Sequence, residues 1–544
     1  MKTIALVTLL TGVSALAQQP KFDVVDVHVS ATAKGFAQNF GGVLRDGKYV
    51  NRDATMLDLI QAAYGVTEDT IAGGPGWLNS DLFDVIAKIP DGTTPATANL
   101  MLQALLAERF KLVVRNDNHP VPRYVLSVGK GGSKLKPASG PEARGGCDAQ
   151  QQGGAPGGGG GPVDLASQPN IKVTCRNLTA AAIAENLRQM AGGYLVHDVI
   201  DSTKLEGSWD FDLEWTGRAG LAAKGADGIS IFDAVSKQLG LKLELQNIPM
   251  PSLVIESVNR KPTANSKGVA TALALSAARF EAATIKPANP DARPFNGLLY
   301  TGGSQMKAGG TLRSLIAIAL QISPNVANDI VIGLPKSADS QRWDITAKVP
   351  STGEGAPNVV RGQPQPPPLS IGLEMLRGLL VEQFELKTHT ENREVTVYAL
   401  TLGNGKPKLT QANESERSGC RPDPNAPKPY TNIQTMIACK NLTMGELAET
   451  LQQRAAAYID HPVVDDTGLQ GGWNFLMGWT PKALLQATQA PNPNQPEGGI
   501  VQASDPGGIS VFDAVQKELG LKLVKRTRSI PVIVVDHVRE KPIE

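Results

Sequence analysis

The sequence predicts an α+β protein built from two tandem copies of one domain. Residues 177–216 and 441–480 align without a gap and are identical at 19 of 40 positions, and residues 228–243 and 508–523 match at 13 of 16. Alternating apolar patterns typical of strands stand beside capped helix patterns in both copies. Two long copies are too few for a solenoid, so the repeat indicates two globular domains in tandem.

The two copies have matching limits along the chain. Unit 1 is predicted to span residues 21–262 and unit 2 residues 279–544. The stretch 263–278 between them is rich in small residues and is predicted to be a linker. Each unit is long enough to bury a core of its own.

The N-terminus predicts export. Residues 1–17 have a positive start, a short apolar run and a small-x-small site, which together indicate a signal peptide cleaved between Ala17 and Gln18. The run is shorter than the roughly 18 to 20 apolar residues that a membrane span needs, and no later segment reaches that length. We therefore expect a soluble periplasmic or secreted mature chain.

The first half of unit 1 alternates strand and helix patterns. A capping sequence at 55–58 predicts the start of a helix, residues 82–88 a strand and residues 97–109 a second helix. Two further strands are expected around Val113 and Val125.

The second half of the unit follows a similar order. Large apolar residues at period two in 209–215 predict a strand with a core face rather than an open binding surface. Ser230 caps the next predicted helix, and after a strand Pro249 and Pro251 predict a turn before another strand at 252–258. Each half is expected to have the order β, α, β, β, with helices mainly on one face of antiparallel or mixed sheets.

The four cysteines fall two in each unit, at corresponding places. In an exported protein this parity predicts the disulfides Cys147–Cys175 and Cys420–Cys439. A zinc site needs four ligands at short paired spacings, which these cysteines lack. No metal and no other cofactor is predicted.

The charge balance excludes some classes of partner. Lys plus Arg number 53 and Asp plus Glu 52, and no block of like charge interrupts the mixture. Bulk electrostatics therefore draws the chain neither to nucleic acid nor to an anionic membrane. The expected partner is an unidentified protein or envelope ligand.

Two short motifs are better explained by structure than by catalysis. Residues 42–49 have the spacing of a phosphate loop but end in Tyr, and Asp46-Gly47 within them predicts a hairpin turn. Residues 127–130 match SxxK, yet they end a predicted strand where the nucleophile should open a helix. We predict no catalytic residue from these motifs.

Two histidines recur at matched positions, each with an aspartate four residues later. The pairs are His197 with Asp201 and His461 with Asp465. A structural turn is the interpretation we favour, because Asp followed by Thr commonly satisfies backbone N–H groups. A ligand-binding loop and a metal or catalytic pair are the alternatives.

Several motifs in the same order resemble the family called domain of unknown function 3738. They are residues 75–88, 105–112, 280–287, 461–475 and 534–542, and they cover both units. The resemblance implies an exported protein of a group abundant in soil Acidobacteria, without an established activity. Some members look to be fused to the membrane metallopeptidase of beta-lactam sensing, which implies a sensory or envelope role, but this chain has no HExxH motif.

Unit 1 departs from the family pattern more than unit 2. Residues 22–29 read FDVVDVHV where the family has FEVATIKP-like residues, and 197–199 read HDV where unit 2 has HPV at 461–463. If that loop carries function, unit 1 is the copy expected to have lost it. The β, α, β, β order is also similar to small N-terminal domains of secretins and TonB-dependent transporters, a resemblance of fold only.

The function expected from the sequence is that of an exported, non-enzymatic binding or interaction protein of the cell envelope. Tandem duplication, disulfides and the lack of convergent polar motifs favour it. A metal-dependent or other hydrolase centred on His461 and Asp465 is one alternative, and sensing of cell-wall or antibiotic ligands is another.

Overall fold

The computed structural model describes residues 20–543 apart from 33–38, 40, 139–144, 151–168, 222–223, 274–276, 303, 353–355, 357, 361–362, 414, 422–434 and 490–507. It is an α+β structure with two units, as predicted. Each unit consists of two similar halves, which we call module 1 (24–128), module 2 (136–257), module 3 (282–402) and module 4 (410–537). The predicted cleavage site at Ala17 and Gln18 lies outside the described residues.

The elements of unit 1 follow the same order in both modules, except that module 2 has an additional short helix, α4 (Arg218–Leu221). Module 1 contains β1 (Val24–Val29), β2 (Val43–Arg45), β3 (Lys48–Thr55), α1 (Met56–Tyr64), β4 (Ile71–Gly73), β5 (Leu82–Lys88), α2 (Pro95–Arg109) and β6 (Val113–Val128). Module 2 contains β7 (Lys136–Pro137), β8 (Gly146–Gln150), β9 (Ile171–Thr179), α3 (Ala180–Met190), β10 (Val199–Asp201), β11 (Ser208–Trp215), α4 (Arg218–Leu221), α5 (Ile231–Leu239) and β12 (Leu241–Ser257).

Helix α6 (Val269–Ala272) follows unit 1. Unit 2 then repeats the order of elements seen in unit 1, with short elements added in module 3. Module 3 contains β13 (Ala282–Pro287), β14 (Gly297–Gly302), β15 (Gln305–Thr311), α7 (Leu312–Ala319), α8 (Ala327–Ile330), β16 (Val331–Ile332), β17 (Arg342–Lys348), β18 (Asn358–Val360), β19 (Gln363–Gln365), α9 (Leu369–Phe384) and β20 (Lys387–Leu402). Module 4 contains β21 (Thr410–Gln411), β22 (Gly419–Arg421), β23 (Thr435–Leu442), α10 (Met444–Arg454), β24 (Val463–Asp465), β25 (Trp473–Trp479), α11 (Lys482–Gln489), α12 (Val511–Leu519) and β26 (Leu521–His537).

One four-stranded antiparallel sheet forms the frame of each module. The strand orders are β1-β5-β3-β2, β7-β11-β9-β8, β13-β17-β15-β14 and β21-β25-β23-β22, so all four modules share one topology. In module 1 the sheet packs its inner face against α1 and α2 around a core that includes Phe83 and Phe110. The prediction of helices mainly on one face is confirmed there.

Local sequence signals explain how these elements begin and end. Thr55 and Asp58 form a reciprocal capping box at the start of α1, and Ser230 caps α5. Asp46 and Gly47 both have positive φ and close the two-residue hairpin between β2 and β3, as the hairpin interpretation predicts. The period-two pattern of β11 buries Phe211, Leu213 and Trp215, which confirms its core face.

The prediction of a turn at Pro249 and Pro251 is wrong. β6 and β12 each run unbroken and pair antiparallel over their whole length, with Pro249 opposite Pro120. The two strands expected around Val113 and Val125 are likewise one strand, β6. Pro249 and Pro251 lie in the middle of a ribbon of two strands, so at this point each strand has one edge that pairs with no other strand. Proline is tolerated at such an edge because no N–H group is needed there.

This ribbon joins the two modules of unit 1 into one body. β12 starts in the core of module 2 with Leu241 and ends in the core of module 1 with Ile255. The short strands β10 and β4 add in parallel to β6 and β12 at opposite ends of the ribbon. β20, β26, β24 and β16 repeat the arrangement in unit 2. Neither module completes its core alone.

The structure contains the disulfides Cys147–Cys175 and Cys420–Cys439, each joining neighbouring strands of one sheet. Two disulfides fit an extracellular location. In the part of the chain that the structure describes, no helix is long and apolar enough to cross a membrane.

The segment between the units packs on unit 1. Arg109 of α2 binds the hydroxyl and carbonyl oxygens of Thr263 and the side chain of Asn265. Val269 and Leu273 cover Ile86 on the outer face of the module 1 sheet. Part of that outer face is therefore buried by residues from the predicted linker.

Candidate functional site

The two recurring histidines lie where the modules of each unit meet. His461, just before β24 in module 4, contacts Asp329 of module 3, with Nδ1 and Oδ2 2.7 Å apart. His197 makes the equivalent contact in unit 1, from module 2 to Asp69 of module 1, at 3.1 Å. Each histidine therefore links the two modules of its unit.

The aspartates four residues later close a turn. Asp465 Oδ1 accepts hydrogen bonds from the backbone N–H and the hydroxyl of Thr467, at 2.8 and 2.7 Å. Asp201 holds Thr203 in the same way, at 2.8 and 2.7 Å. Both threonines are buried. These contacts favour the turn interpretation over a catalytic pair. The histidine contacts an aspartate of the other module, whereas the aspartate four residues later binds the threonine of its own turn.

Within the described ranges, no group of three or more His, Cys, Asp and Glu side chains is arranged to hold a metal ion. The carboxylate of Asp329 binds the ring of His461 as a pair, and both side chains are about one-fifth exposed, at 23% and 22%. This pair therefore connects module 4 to module 3.

Unit 1 and unit 2 dock through modules 1 and 4. The guanidinium of Arg417 donates to the carbonyl oxygens of Gly73 at 2.7 Å and Pro75 at 3.1 Å. The backbone N–H of Ser418 donates to Gly76 O at 3.2 Å, and the Asn79 amide donates to Ser418 O at 2.6 Å. We call this contact, between residues 73–79 and 416–421, the docking seam.

Gly76 makes the docking seam possible. A Cβ atom at this position would collide with the Asn441 amide and with the carbonyl oxygen of Glu416 across the seam. The corresponding residue of unit 2 is Lys336, which follows Pro335 as Gly76 follows Pro75. The lysine at this position of unit 2 has a side chain that the close approach seen at Gly76 would not accommodate.

A cleft of about 660 Å³ lies between modules 1 and 3, and so between the two units. Unit 1 contributes Thr32, Arg52 and Asp84 to it, and unit 2 contributes the segment 277–279 and one face of α9. Clefts of several hundred Å³ with a few placed polar groups are the usual form of ligand sites in proteins. We therefore take this cleft as the candidate functional site.

Helix α9 forms the unit 2 wall. Glu374, Arg377, Gly378 and Val381 lie on one face because they are spaced three and four residues apart. Glu374 accepts a hydrogen bond from the backbone N–H of Ala278 at 3.0 Å. A Cβ at Gly378 would meet nothing within 4 Å, so the cleft is open at this point of the helix.

Both signs of charge line the unit 2 wall. Arg377 donates to the carbonyl oxygen of Ala319 at 3.0 Å, which orients its guanidinium beside the cleft. Arg279 forms an ion pair with Glu382, and both side chains are more than one-third exposed. These charges remain close to solvent, where a ligand can exchange for their present partners.

A histidine lies between two carboxylates beside the unit 1 wall, where it contacts the cleft-lining residue Asp84. His28 lies opposite Asp84 in the β1–β5 ladder, on the outer face of the sheet, while Val27 and Val85 point into the core. His28 Nε2 is 3.5 Å from Asp84 Oδ2, and Nδ1 is 3.3 Å from Asp26 Oδ2. The Asp84 side chain is only 8% exposed and that of Asp26 13%, whereas His28 is 45% exposed, so two largely buried carboxylates lie beneath a histidine that reaches solvent.

Strand β3 completes the unit 1 wall. Asp84 Oδ1 accepts a hydrogen bond from the backbone N–H of Asp53 at 2.9 Å, and Arg52 lies 3.4 Å from Asp84 Oδ2. Asp53, with φ of 54°, lies where the β3–β5 register shifts, and its carboxylate accepts from the Ser30 hydroxyl at 2.9 Å. The irregular backbone of β3 thus turns an N–H group toward Asp84.

These contacts shift the titration of the cluster. The hydrogen bond that His28 donates to Asp84 raises the pKa of His28, with help from the charge of Asp26, against the lowering effect of burial. Burial alone would raise the pKa of Asp84, but its hydrogen bonds with His28 and Asp53 N–H and the charge of Arg52 lower it. Histidine and carboxylate are therefore both stabilised in their charged forms.

Sequence reasoning missed this cluster as a site. A signal was available, because FDVVDVHV at 22–29 departs from FEAATIKP at 280–287 in unit 2. The departure puts Asp26 and His28 at period two, on one face of a strand, where unit 2 has Thr284 and Lys286. Asp84 on the partner strand is remote in sequence, so the cluster could not be assembled from one segment.

The comparisons with known proteins agree with the two-unit architecture. A family model described as a protein of unknown function, DUF3738, matches residues 57–258 and 313–538, one region in each unit. A search of curated proteins and a search of solved structures each found no match. The two matched regions together cover most of the chain, and the protein therefore belongs to the DUF3738 family.

Proposed function

We propose that the chain is an exported, non-enzymatic binding protein of the cell envelope, and that its ligand binds in the cleft between the two units. The observation that carries the proposal is that the cleft has one wall from each unit. The docking seam holds the units together through the half-buried side chain of Arg417, which donates to two carbonyl oxygens of unit 1. A preformed concavity of this kind needs little rearrangement to bind a ligand, which favours affinity.

Export is supported by two independent features. The apolar start of the chain and the small-x-small site before Gln18 have the pattern of a cleaved signal peptide. The two disulfides are typical of proteins that mature in an oxidising compartment. Together they support a periplasmic or secreted location.

The paired charges of the cleft indicate the ligand chemistry. Arg279 is paired with Glu382 on one wall, and Arg52 with Asp84 on the other. A ligand that carries both an ammonium and a carboxylate group can place each of them beside an opposite charge that lines the cleft. We therefore propose a small zwitterion such as a short peptide, which includes peptides of the cell wall.

The hydrolase alternative receives less support from the geometry. Asp465 already accepts two hydrogen bonds from Thr467, and His461 faces Asp329 of the neighbouring module. A nucleophile or base needs a partner within hydrogen-bond reach and room for a substrate. Asp465 instead stabilises a turn, and His461 connects module 4 to module 3.

Amide NMR of the full mature chain, titrated with di- to tetrapeptides that have free termini, tests the proposal. We expect saturable shifts of the Thr32 and Gly378 amides, which lie on opposite walls. Gly378→Phe should abolish these shifts at Thr32, because the new ring fills the open part of the cleft.

Gly445→Phe is the matched control. Like Gly378, Gly445 is a helical glycine with nothing within 4 Å of a Cβ atom, but it lies outside the cleft. It introduces the same ring into a helix at a site away from the cleft. Equal loss of binding in both variants, or no peptide-dependent shift in the cleft of the wild type, would contradict the proposal.

A further inference from the structure

The neutral form of His28 cannot serve both of its carboxylate neighbours. Asp26 faces Nδ1 at 3.3 Å and Asp84 faces Nε2 at 3.5 Å. A neutral imidazole has one N–H group, while the protonated ring has one at each nitrogen. Loss of a proton therefore leaves one carboxylate facing a nitrogen lone pair instead of a donor.

Charged and polar groups approach this cluster from every element packed around it. They are Asp26 of β1, Asp84 of β5, Arg52 and Asp53 of β3, Ser30 after β1, and Asn265, which donates to Asp26. Arg109 of α2 binds Asn265 from behind. Across the cleft, unit 2 contributes Arg279, Glu374, Arg377 and Glu382.

Unit 2 provides an internal comparison at the same place in the fold. Lys286 of β13 pairs in register with Asp344 of β17, as His28 of β1 pairs with Asp84 of β5. Lysine keeps its charge throughout the physiological range, whereas histidine loses it near neutrality. Unit 1 thus has a titratable cation where unit 2 has a permanent one, and a second carboxylate, Asp26, beside it.

We propose that His28 is a proton-operated switch that sets the charge of the unit 1 wall of the ligand cleft. When His28 is protonated, it neutralises part of the charge of Asp26 and Asp84. When it is neutral, the cluster is more negative by one charge, and the charge of Asp84, which lines the cleft, is no longer offset by the imidazolium. Anionic groups of a ligand are then held less well and ammonium groups better. This inference rests on the proposed function for its biological meaning.

The direction of the pH effect follows from the contacts. Asp84 and Asp26 raise the pKa of His28 above its ordinary value of 6.5. The stabilisation of the folded protein by protonated His28 is therefore complete below pH 6.5, and it is lost as the pH rises through the raised pKa of His28. The switch operates on the alkaline side of the ordinary histidine range.

A titration of the full mature chain by NMR tests the switch without any ligand. The C2 proton of His28, assigned with His28→Lys, should titrate above pH 6.5, and Asp84→Asn should move its pKa down. The Thr32 amide and Arg52 side-chain signals on the cleft wall should follow the same titration in the wild type. In His28→Lys, which reproduces the cation of unit 2, these wall signals should stay constant between pH 6 and 9.

Two results would overturn the switch: a His28 pKa at or below 6.5, or wall signals that do not follow His28. Neither result depends on peptide binding, so failure of the switch is distinct from failure of the proposed function. If peptides bind, the affinity of an acidic dipeptide should fall with the His28 titration in the wild type and stay constant in His28→Lys. An equal pH dependence in both proteins would also overturn the inference.

Discussion

Adding a single methyl group at Gly76 should separate the two units at the docking seam. In Gly76→Ala the new Cβ meets the Asn441 amide and the carbonyl oxygen of Glu416, and the second of these is backbone. Backbone cannot rotate away as a side chain can, so one of the two segments must shift. The hydrogen bonds of Arg417 and Ser418 across the seam are then lost or lengthened.

The size of the effect follows from those hydrogen bonds. Arg417 donates to two carbonyl oxygens of unit 1, and Ser418 N–H donates to Gly76 O. Hydrogen bonds from a charged group contribute about 1.5 to 3 kcal/mol when buried and less where water can replace the partner. We expect docking to weaken by about 2.7 kcal/mol, which is about 100-fold in the equilibrium between docked and separated units.

Hydrogen exchange of the Ser418 amide measures this opening directly, because that N–H group is bonded across the seam. Its exchange should be about 100-fold faster in Gly76→Ala than in the wild type, whereas amides in β6 and β12 should keep their protection. Gly445→Ala, an exposed helical glycine with free space around it, is the control and should leave Ser418 unchanged. Equal Ser418 exchange in wild type and Gly76→Ala would refute the reasoning.

Three further outcomes are expected. Asp465→Ala should lower the free energy of unfolding by about 1 to 3 kcal/mol in urea titrations, because buried Thr467 loses its acceptor; an unchanged midpoint would count against the turn. Replacing Cys420 and Cys439 by Ser should lower stability by about 3 kcal/mol on the chain-entropy model for their separation of 19 residues, and a calorimetric transition equal to that of the wild type would contradict this. Burial raises the pKa of Tyr49 to about 12, so stability from the neutral phenol should persist below pH 10 and fall as pH rises through about 12; ultraviolet titration showing Tyr49 ionised at pH 10 would exclude it.

The sequence by itself determined the repeat, the local elements and the covalent links. Thr55 and Ser230 cap helices, and Asp46-Gly47 closes a hairpin, because these signals act over a few residues and need no distant partner. The cysteine pairs followed from parity and from the matching positions in the two copies. Asp201 and Asp465 close turns with the threonines two residues on, which is also a local interaction.

Tertiary structure decided the features that depend on residues far apart in the chain. Pro249 locally resembles a turn residue, and only its place opposite Pro120 in an open ribbon lets the strand continue. Gly76 matters because a side chain there would collide with Asn441, and His28 matters because it lies beside Asp84. Neither partner can be identified from a pattern within one segment. The physical reason is that steric fit and the energy of a charge depend on which surfaces meet, and the meeting of surfaces is a property of the whole fold.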